Sequence, residues 1–252
     1  MDISSNNIIF IPIKEHSSRV PHKNFRDFCG RPLYLHTLYK YENLDVDVFV
    51  DTDSQEVLDT IGKKKKNGEL SNVSVLIRKE SLRGDDVSVN LLIQDFIDNS
   101  VDYKKDVWIA QIHVTTPFLK AKTVLSGLKR MKLSGVIMHG KNSESTAEYD
   151  SAASVTVHQS RFWRFDKYGF CPVNHNPMKL EKTQDLPIFY EENSCFYIFN
   201  PKNFNNCGKY RLGALPCFIG IDFPENLDID TEDDWNKCVK LMSSGAEWNS
   251  TK

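Results

Sequence analysis

Short apolar runs, rich in β-branched residues, alternate along this chain with segments of helical period, and that alternation restricts the fold more than any other feature. Residues 8–13, 46–50, 73–77 and 107–112 read as buried strands, and residues 32–41, 55–65 and 123–133 read as helices between and after them. Val89, Leu92, Ile93, Phe96 and Ile97 stand at i, i+3, i+4, i+7 and i+8, the apolar face of another helix. Residues 152–157 are again extended, as are 195–199 and the stretch near 219–230. Strands that alternate with helices predict a mostly parallel sheet with helices on both faces. Ligands of such sheets sit at the carboxyl ends of the strands.

The pattern breaks at approximately residues 158–190, which are aromatic and polar with a turn at 174–177. This stretch reads as an insert carrying a small β element within one domain spanning residues 1–252. Phe162, Trp163 and Phe165 there are either a local mini-core or a subunit contact.

With 32 basic and 34 acidic residues and a formal net charge of -2, the chain has no general polyanion-binding character. Nucleic acid is therefore not expected as a partner, and any phosphate site must be local. The polar residues 1–7 lead into only six apolar or proline positions, too few for a secretory signal. No run approaches the roughly 18 apolar residues of a membrane-spanning helix, so a soluble, cytoplasmic protein is expected. The six cysteines are scattered without a CxxC pair, which argues for reduced thiols rather than a disulfide or zinc framework.

Two motifs carry chemistry. Directly after the first strand come Lys14, Ser17, Ser18, Arg19, Pro21, Lys23 and Asn24. Cations interleaved with small hydroxyls suit a triphosphate, because charge neutralises the oxygens while hydroxyl and backbone donors fill the remaining acceptor sites. Pro21 would stiffen such a loop. A plain basic surface loop is the competing reading, and the spacing is not that of a P-loop. The second motif is Asp228 and Asp230. In an extended segment Leu227 and Ile229 face one way and the two acids the other. Two carboxylates on one face can share a hard divalent cation with water and phosphate oxygens. Thr231 then reads as a helix N-cap with Asp234 at N3, and Trp235, Cys238, Val239 and Met242 as that helix's apolar face.

The loop, continued by Phe28, Gly30, Pro32 and Leu33, resembles the signature of the acylneuraminate (CMP-sialic acid synthetase-like) and 3-deoxy-manno-octulosonate cytidylyltransferases. The resemblance implies a three-layer α/β/α, Rossmann-like nucleotidyltransferase fold. It also implies a reaction in which CTP and a 2-keto-3-deoxy sugar acid give a CMP-sugar and pyrophosphate. It extends along most of the chain. Asp51 and Asp53 match the family's strand ending in S-T-D, with a simple strand-end turn as the alternative. Arg78 and Ser88 fall in the family's cytosine cradle, where helix capping by Asp85 or Asp86 is the other reading. His113 and Thr115, with Thr116 and Pro117, match a motif beside the sugar. Lys182, Gln184 and Asn193 match residues grouped around the acceptor's carboxylate.

The resemblance thus implies a CTP site of Lys14, Ser17, Arg19, Lys23, Asn24, Arg78 and Ser88, and a sugar site of His113, Thr115, Lys182, Gln184 and Asn193. It implies Mg²⁺ (or Mn²⁺) on Asp228 and Asp230, with Lys23 and the two acids as the catalytic group, and a homodimer formed through the insert. Lys14, Ser18, His113, Val114, Lys182 and Ser194 stand where the family usually has arginine, lysine, glutamine, proline, arginine and glycine. Most of these departures lie on the sugar side, so the alternatives are the same chemistry on another acceptor (an octulosonate, a pseudaminate- or legionaminate-type sugar, or a phosphonate) or a non-catalytic nucleotide-binding module.

Overall fold

The apolar runs 8–13, 46–50 and 107–112 become strands with both sets of side chains largely buried, as continuous rather than alternating hydrophobicity requires, whereas the run 73–77, at the sheet edge, is only partly buried. A computed structural model describes residues 7–17, 19–101, 107–133, 137–138, 144–145 and 149–245; Ser18 and residues 1–6, read above from sequence, lie outside them. In chain order the elements are β1 (Asn7–Ile13), α1 (Leu33–Tyr39), β2 (Asp47–Thr52), α2 (Gln55–Lys66), β3 (Val73–Ile77), α3 (Val89–Ser100), β4 (Trp108–Ile112), α4 (Ala121–Lys132), β5 (Ile137–Met138), β6 (Glu144–Ser145), β7 (Ser151–His158), β8 (Trp163–Asp166), β9 (Gly169–Pro172), β10 (Phe189–Phe199), α5 (Pro201–Asn206), β11 (Pro216–Gly220) and α6 (Glu232–Ser243).

Seven strands form one sheet in the order β11-β7-β10-β4-β1-β2-β3. The pairs β1–β2, β2–β3, β1–β4 and β7–β11 are parallel, and only β10 runs against its neighbours β4 and β7. On one face Ile9, Ile11, Val48, Val50, Ala110 and Ile112 pack against Leu35 and Leu38 of α1, Val57 and Ile61 of α2, and Val124 and Leu128 of α4. On the other, Ile8, Phe10, Phe49 and Ile109 meet Leu92, Ile93, Phe96 and Ile97 of α3 and Phe204 of α5. The three-layer α/β/α expectation is met, and β8 and β9 pair with each other in a separate hairpin inside the stretch read as an insert.

Three local expectations change. Asp51, expected just beyond its strand, pairs with Pro12 and Leu76 inside β2 and is buried. The extended stretch near 219–230 is a strand only over Pro216–Gly220; the segment carrying Asp228 and Asp230 is a loop. The cap of α3 is neither Asp85 nor Asp86: the Ser88 hydroxyl accepts the backbone N–H of Asn90 at 3.3 Å.

Strand order reverses at β1, which lies between β2 and β4. Loops leaving the carboxyl ends of β1 and β4 diverge there and leave a crevice. A third cluster, Phe28, Leu33, Phe118, Ile229, Trp235 and Cys238, fastens α6 beneath the loop after β1. Phe28 and Trp235 meet edge to face at 5.5 Å, and Arg26 lies 4.1 Å above the Trp235 ring and 2.6 Å from Glu232.

Candidate active site

The loop that leaves β1 is held by its own polar atoms. The Asn24 amide donates to the Lys14 carbonyl at 3.0 Å, and the Glu15 N–H donates to Asp53 Oδ1 at 2.9 Å. Asp53 therefore acts as a brace from β2. Gly30, with φ +100, makes the turn that leads into α1, a backbone conformation open to glycine at little cost. The loop is shaped before any ligand arrives, which lowers the entropy lost on binding.

The acidic segment 228–230 joins the strand ends through two backbone contacts. The Ile229 N–H donates to the Thr115 carbonyl at 2.9 Å, and Lys23 Nζ donates to the Ile229 carbonyl at 2.6 Å. Ile229 is fully buried while Asp228 and Asp230 face a cavity, so the alternation expected of an extended segment holds without a strand. Beyond it Thr231 and Asp234 form the capping box: the Thr231 hydroxyl accepts the Asp234 N–H and the Asp234 carboxylate accepts the Thr231 N–H.

The cavity has a volume of about 420 Å³, within the range of small-ligand sites. It gathers Lys14, Ser17, Arg19, Lys23, Asn24, Arg78, His113, Thr115, Asp228 and Asp230 from four separate stretches of sequence. Leu82, Gly84, Val87 and Leu92 give one end an apolar wall. Its ionic groups pair with one another: Arg19 lies 2.8 Å and Lys23 3.8 Å from Asp230, and Lys14 lies 2.5 Å from Asp85. Burial lowers the Lys23 pKa, with Asp228 and Asp230 pulling the other way. Burial raises that of Asp228, and the Thr115 hydroxyl opposes the shift. His113 is pushed down to about 4, first by burial and then by the charges of Arg211 and Lys23, so its ring is neutral near pH 7.

Four residues expected at the site are not on the cavity wall. Ser88 caps α3. Asn193 spends its side chain on β7, accepting from Ser154 at 2.6 Å and donating to Thr156 at 3.2 Å, where the β10–β7 register shifts. Its neighbour Ser194 reaches the cavity instead, in a left-handed conformation (φ 58), which accounts for a position where glycine is the easier residue. Lys182 and Gln184 are exposed in the segment between β9 and β10 and do not line the cavity. Sequence reasoning also missed Gln111 and Arg211, which sit behind His113: Arg211 Nη1 donates to Gln111 Oε1 at 2.7 Å, and the Gln111 amide is 3.0 Å from His113 Nε2.

Among the described residues no group of three or more His, Cys, Asp or Glu side chains could hold a metal. The pair Asp228 and Asp230 nevertheless suits a hard cation that brings its own oxygen ligands. Asp228 Oδ1 is buried and accepts no hydrogen bond, and the charge of Asp230 raises the Asp228 pKa further. A divalent ion would satisfy both features.

A basic, pre-shaped loop after the first strand, facing paired carboxylates across the switch point of a mostly parallel sheet, defines a nucleotidyltransferase. The family model described as cytidylyltransferase matches residues 8–241, and the chain belongs to that family. The CMP-N,N'-diacetyllegionaminic acid synthase of Legionella pneumophila is 27% identical over 251 residues, covering 94% of this chain and 96% of that protein. A solved CMP:2-keto-3-deoxy-manno-octonic acid synthetase complexed with CTP matches with TM-score 0.60 and 17% identity over 95% of this chain and 99% of the other. A 4-diphosphocytidyl-2C-methyl-D-erythritol synthase from Anaerococcus prevotii gives TM-score 0.60 and 10% identity over 94% and 97%. At such identities the two structural likenesses speak for the fold. No helix among the described residues is long and apolar enough to cross a membrane.

Proposed function

We propose that this chain activates a 2-keto-3-deoxy sugar acid of the nonulosonate type, using CTP and releasing pyrophosphate. The observation that carries the reading is the convergence of Lys14, Arg19 and Lys23 with Asp228 and Asp230 on one cavity. The relative from Legionella pneumophila, similar along nearly the whole chain, bears the name of a CMP-nonulosonate synthase and supports the choice of acceptor.

In this reading Lys14, Arg19 and Lys23 bind the triphosphate, Ser17 adds a hydroxyl donor, and Asn24 keeps the loop in shape. The apolar end beside Arg78 receives the cytosine, and His113 and Thr115 face the acceptor. The anomeric hydroxyl oxygen forms a bond to the α-phosphorus as the bond to the pyrophosphate oxygen breaks. Such a step depends mainly on positioning and charge stabilisation. Asp230 is the group suited to take the hydroxyl proton, and Lys23 balances the charge that builds on the α-phosphate. Asp228 and Asp230 would hold Mg²⁺ or Mn²⁺, which supplies charge neutralisation and acidifies an oxygen bound to it.

The insert is the proposed contact with a second copy. Phe165, Tyr168, Phe170, Met178 and Leu180 are each more than 70% exposed, an apolar concentration unusual for a free surface. Pairing there would also give the exposed Lys182 and Gln184 a route to the partner's acceptor site. Sedimentation of the parent as a dimer and of Phe165→Asp as a monomer is the expected pair of results; a monomeric parent rules the contact out.

Pyrophosphate release with CTP and a panel of sugar acids tests the function. Turnover is expected to be highest with a nonulosonate. A preference for an octulosonate or a phosphonate would move the acceptor, and no release with any of them would leave a nucleotide-binding module.

A further inference from the structure

Behind the cavity lies a charged group that the reaction above does not use. Gln111 is fully buried on β4, on the same face of the sheet as Ile109. Its side-chain amide lies between Arg211 and His113. The Arg211 guanidinium stacks 3.8 Å over the ring of Tyr197, the residue opposite Gln111 in the β4–β10 register. The Tyr197 hydroxyl in turn bonds Glu192 and lies 3.1 Å from the hydroxyl of Ser194. Both ends of this chain of contacts, His113 and Ser194, line the cavity.

Donor and acceptor chemistry fixes its direction. A guanidinium has only donors, so the Gln111 oxygen must face Arg211. The Gln111 NH₂ must then face His113, whose Nε2 can only accept. A neutral imidazole carries one proton, which leaves it on Nδ1. The orientation of the Gln111 amide follows from Arg211 alone and does not depend on which way the amide is drawn.

We infer that Arg211, acting through Gln111, fixes His113 as an Nδ1–H donor that selects an oxygen on the acceptor substrate, and that Arg211 is a positioning residue for the acceptor rather than for CTP. The identity of the acceptor rests on the sugar-acid reading; the direction of the hydrogen bonds does not. At a position where a glutamine amide could offer either a donor or an acceptor, a histidine held in one tautomer offers a donor only.

The test begins with ring-nitrogen NMR of the free protein, with the His113 signals identified by their loss in His113→Gln. The parent is expected to show the neutral Nδ1-protonated form at neutral pH. Gln111→Glu still gives Arg211 an oxygen but turns the second oxygen toward His113, so the proton is expected to move to Nε2. Arg211→Met is expected to free the amide and mix the two forms, and Arg211→Lys to restore the parent form. In parallel, KM for the sugar acid is expected to rise about tenfold in Gln111→Glu and Arg211→Met, the size of one lost buried hydrogen bond. KM for CTP is expected to stay within about twofold, and Arg211→Lys to recover most of the loss. An Nε2-protonated parent, or an Arg211→Met protein with the parent tautomer, overturns the relay whatever the substrate. An equal rise in KM for CTP overturns the assignment to the acceptor. If the parent turns over no sugar acid, the functional reading fails by itself and the NMR result still decides the relay.

Discussion

Replacing Asp230 by asparagine is expected to lower turnover on the order of a hundredfold or more while CTP binding stays within a few-fold of the parent. The exchange keeps size and shape and removes only charge. The backbone there is held independently of the side chain, because Ile229 bonds Thr115 and the Asp230 and Thr231 N–H groups both point to the Asp234 carboxylate. The variant loop should thus keep its course. What goes is the group that Arg19 approaches to 2.8 Å and Lys23 to 3.8 Å, which is also one of two carboxylates available to a cation and the proposed proton acceptor. The three loop cations remain to bind phosphate, and Arg19 and Lys23 lose a competitor for it. Calorimetry with CTP and a pyrophosphate-release assay separate the two effects. Near-normal turnover would remove Asp230 from the chemistry; loss of CTP binding together with turnover would mean that the loop itself had collapsed.

The parts of this site that were legible in sequence are those in which chemistry and spacing are local. The cations and hydroxyls of 14–24 sit within one loop, and Asp228 and Asp230 are two residues apart beside a capping box. Continuous apolar runs revealed the strands, and the i, i+3, i+4 spacing revealed the face of α3, for the same reason. What escaped depends on where distant segments meet. Gln111 and Arg211 are 100 residues apart and join only because β10 returns beside β4. Each looks ordinary alone, and the only hint was a polar side chain within an otherwise apolar strand. Asp51 and Asp53 form part of the same lesson: both fall in one short strand-end motif, yet Asp53 braces the loop after β1 and Asp51 pairs with Arg78. Capping of α3 turned on a boundary of two or three residues, which periodicity does not resolve.

Asp51→Ala is expected to lower stability by about 3–5 kcal/mol, the usual result of stranding one partner of a buried ion pair. Asp51 and Arg78 are each 4% exposed. Arg78 Nε donates to Asp51 Oδ1 at 2.6 Å, and Nη2 to the Asp51 carbonyl at 3.1 Å. Burial raises the Asp51 pKa and Arg78 pulls it back, with burial the larger influence. The pair therefore does not fully offset its own desolvation, and its value lies in each charge making the other tolerable. With alanine at 51 the guanidinium keeps its charge, since arginine does not deprotonate in proteins, and must stay buried without a counter-ion or turn outward. The outward route leads into the cavity, because Arg78 already forms part of its wall. The same variant should thus weaken CTP binding, whereas Ser88→Ala, which removes only the α3 cap, should cost about 1 kcal/mol and leave the wall in place. Urea unfolding of the two variants beside the parent measures the difference. A loss below about 1 kcal/mol for Asp51→Ala would mean that Arg78 finds another partner. Asp51→Asn, which keeps a hydrogen-bond acceptor for Nε without the charge, should fall between the two.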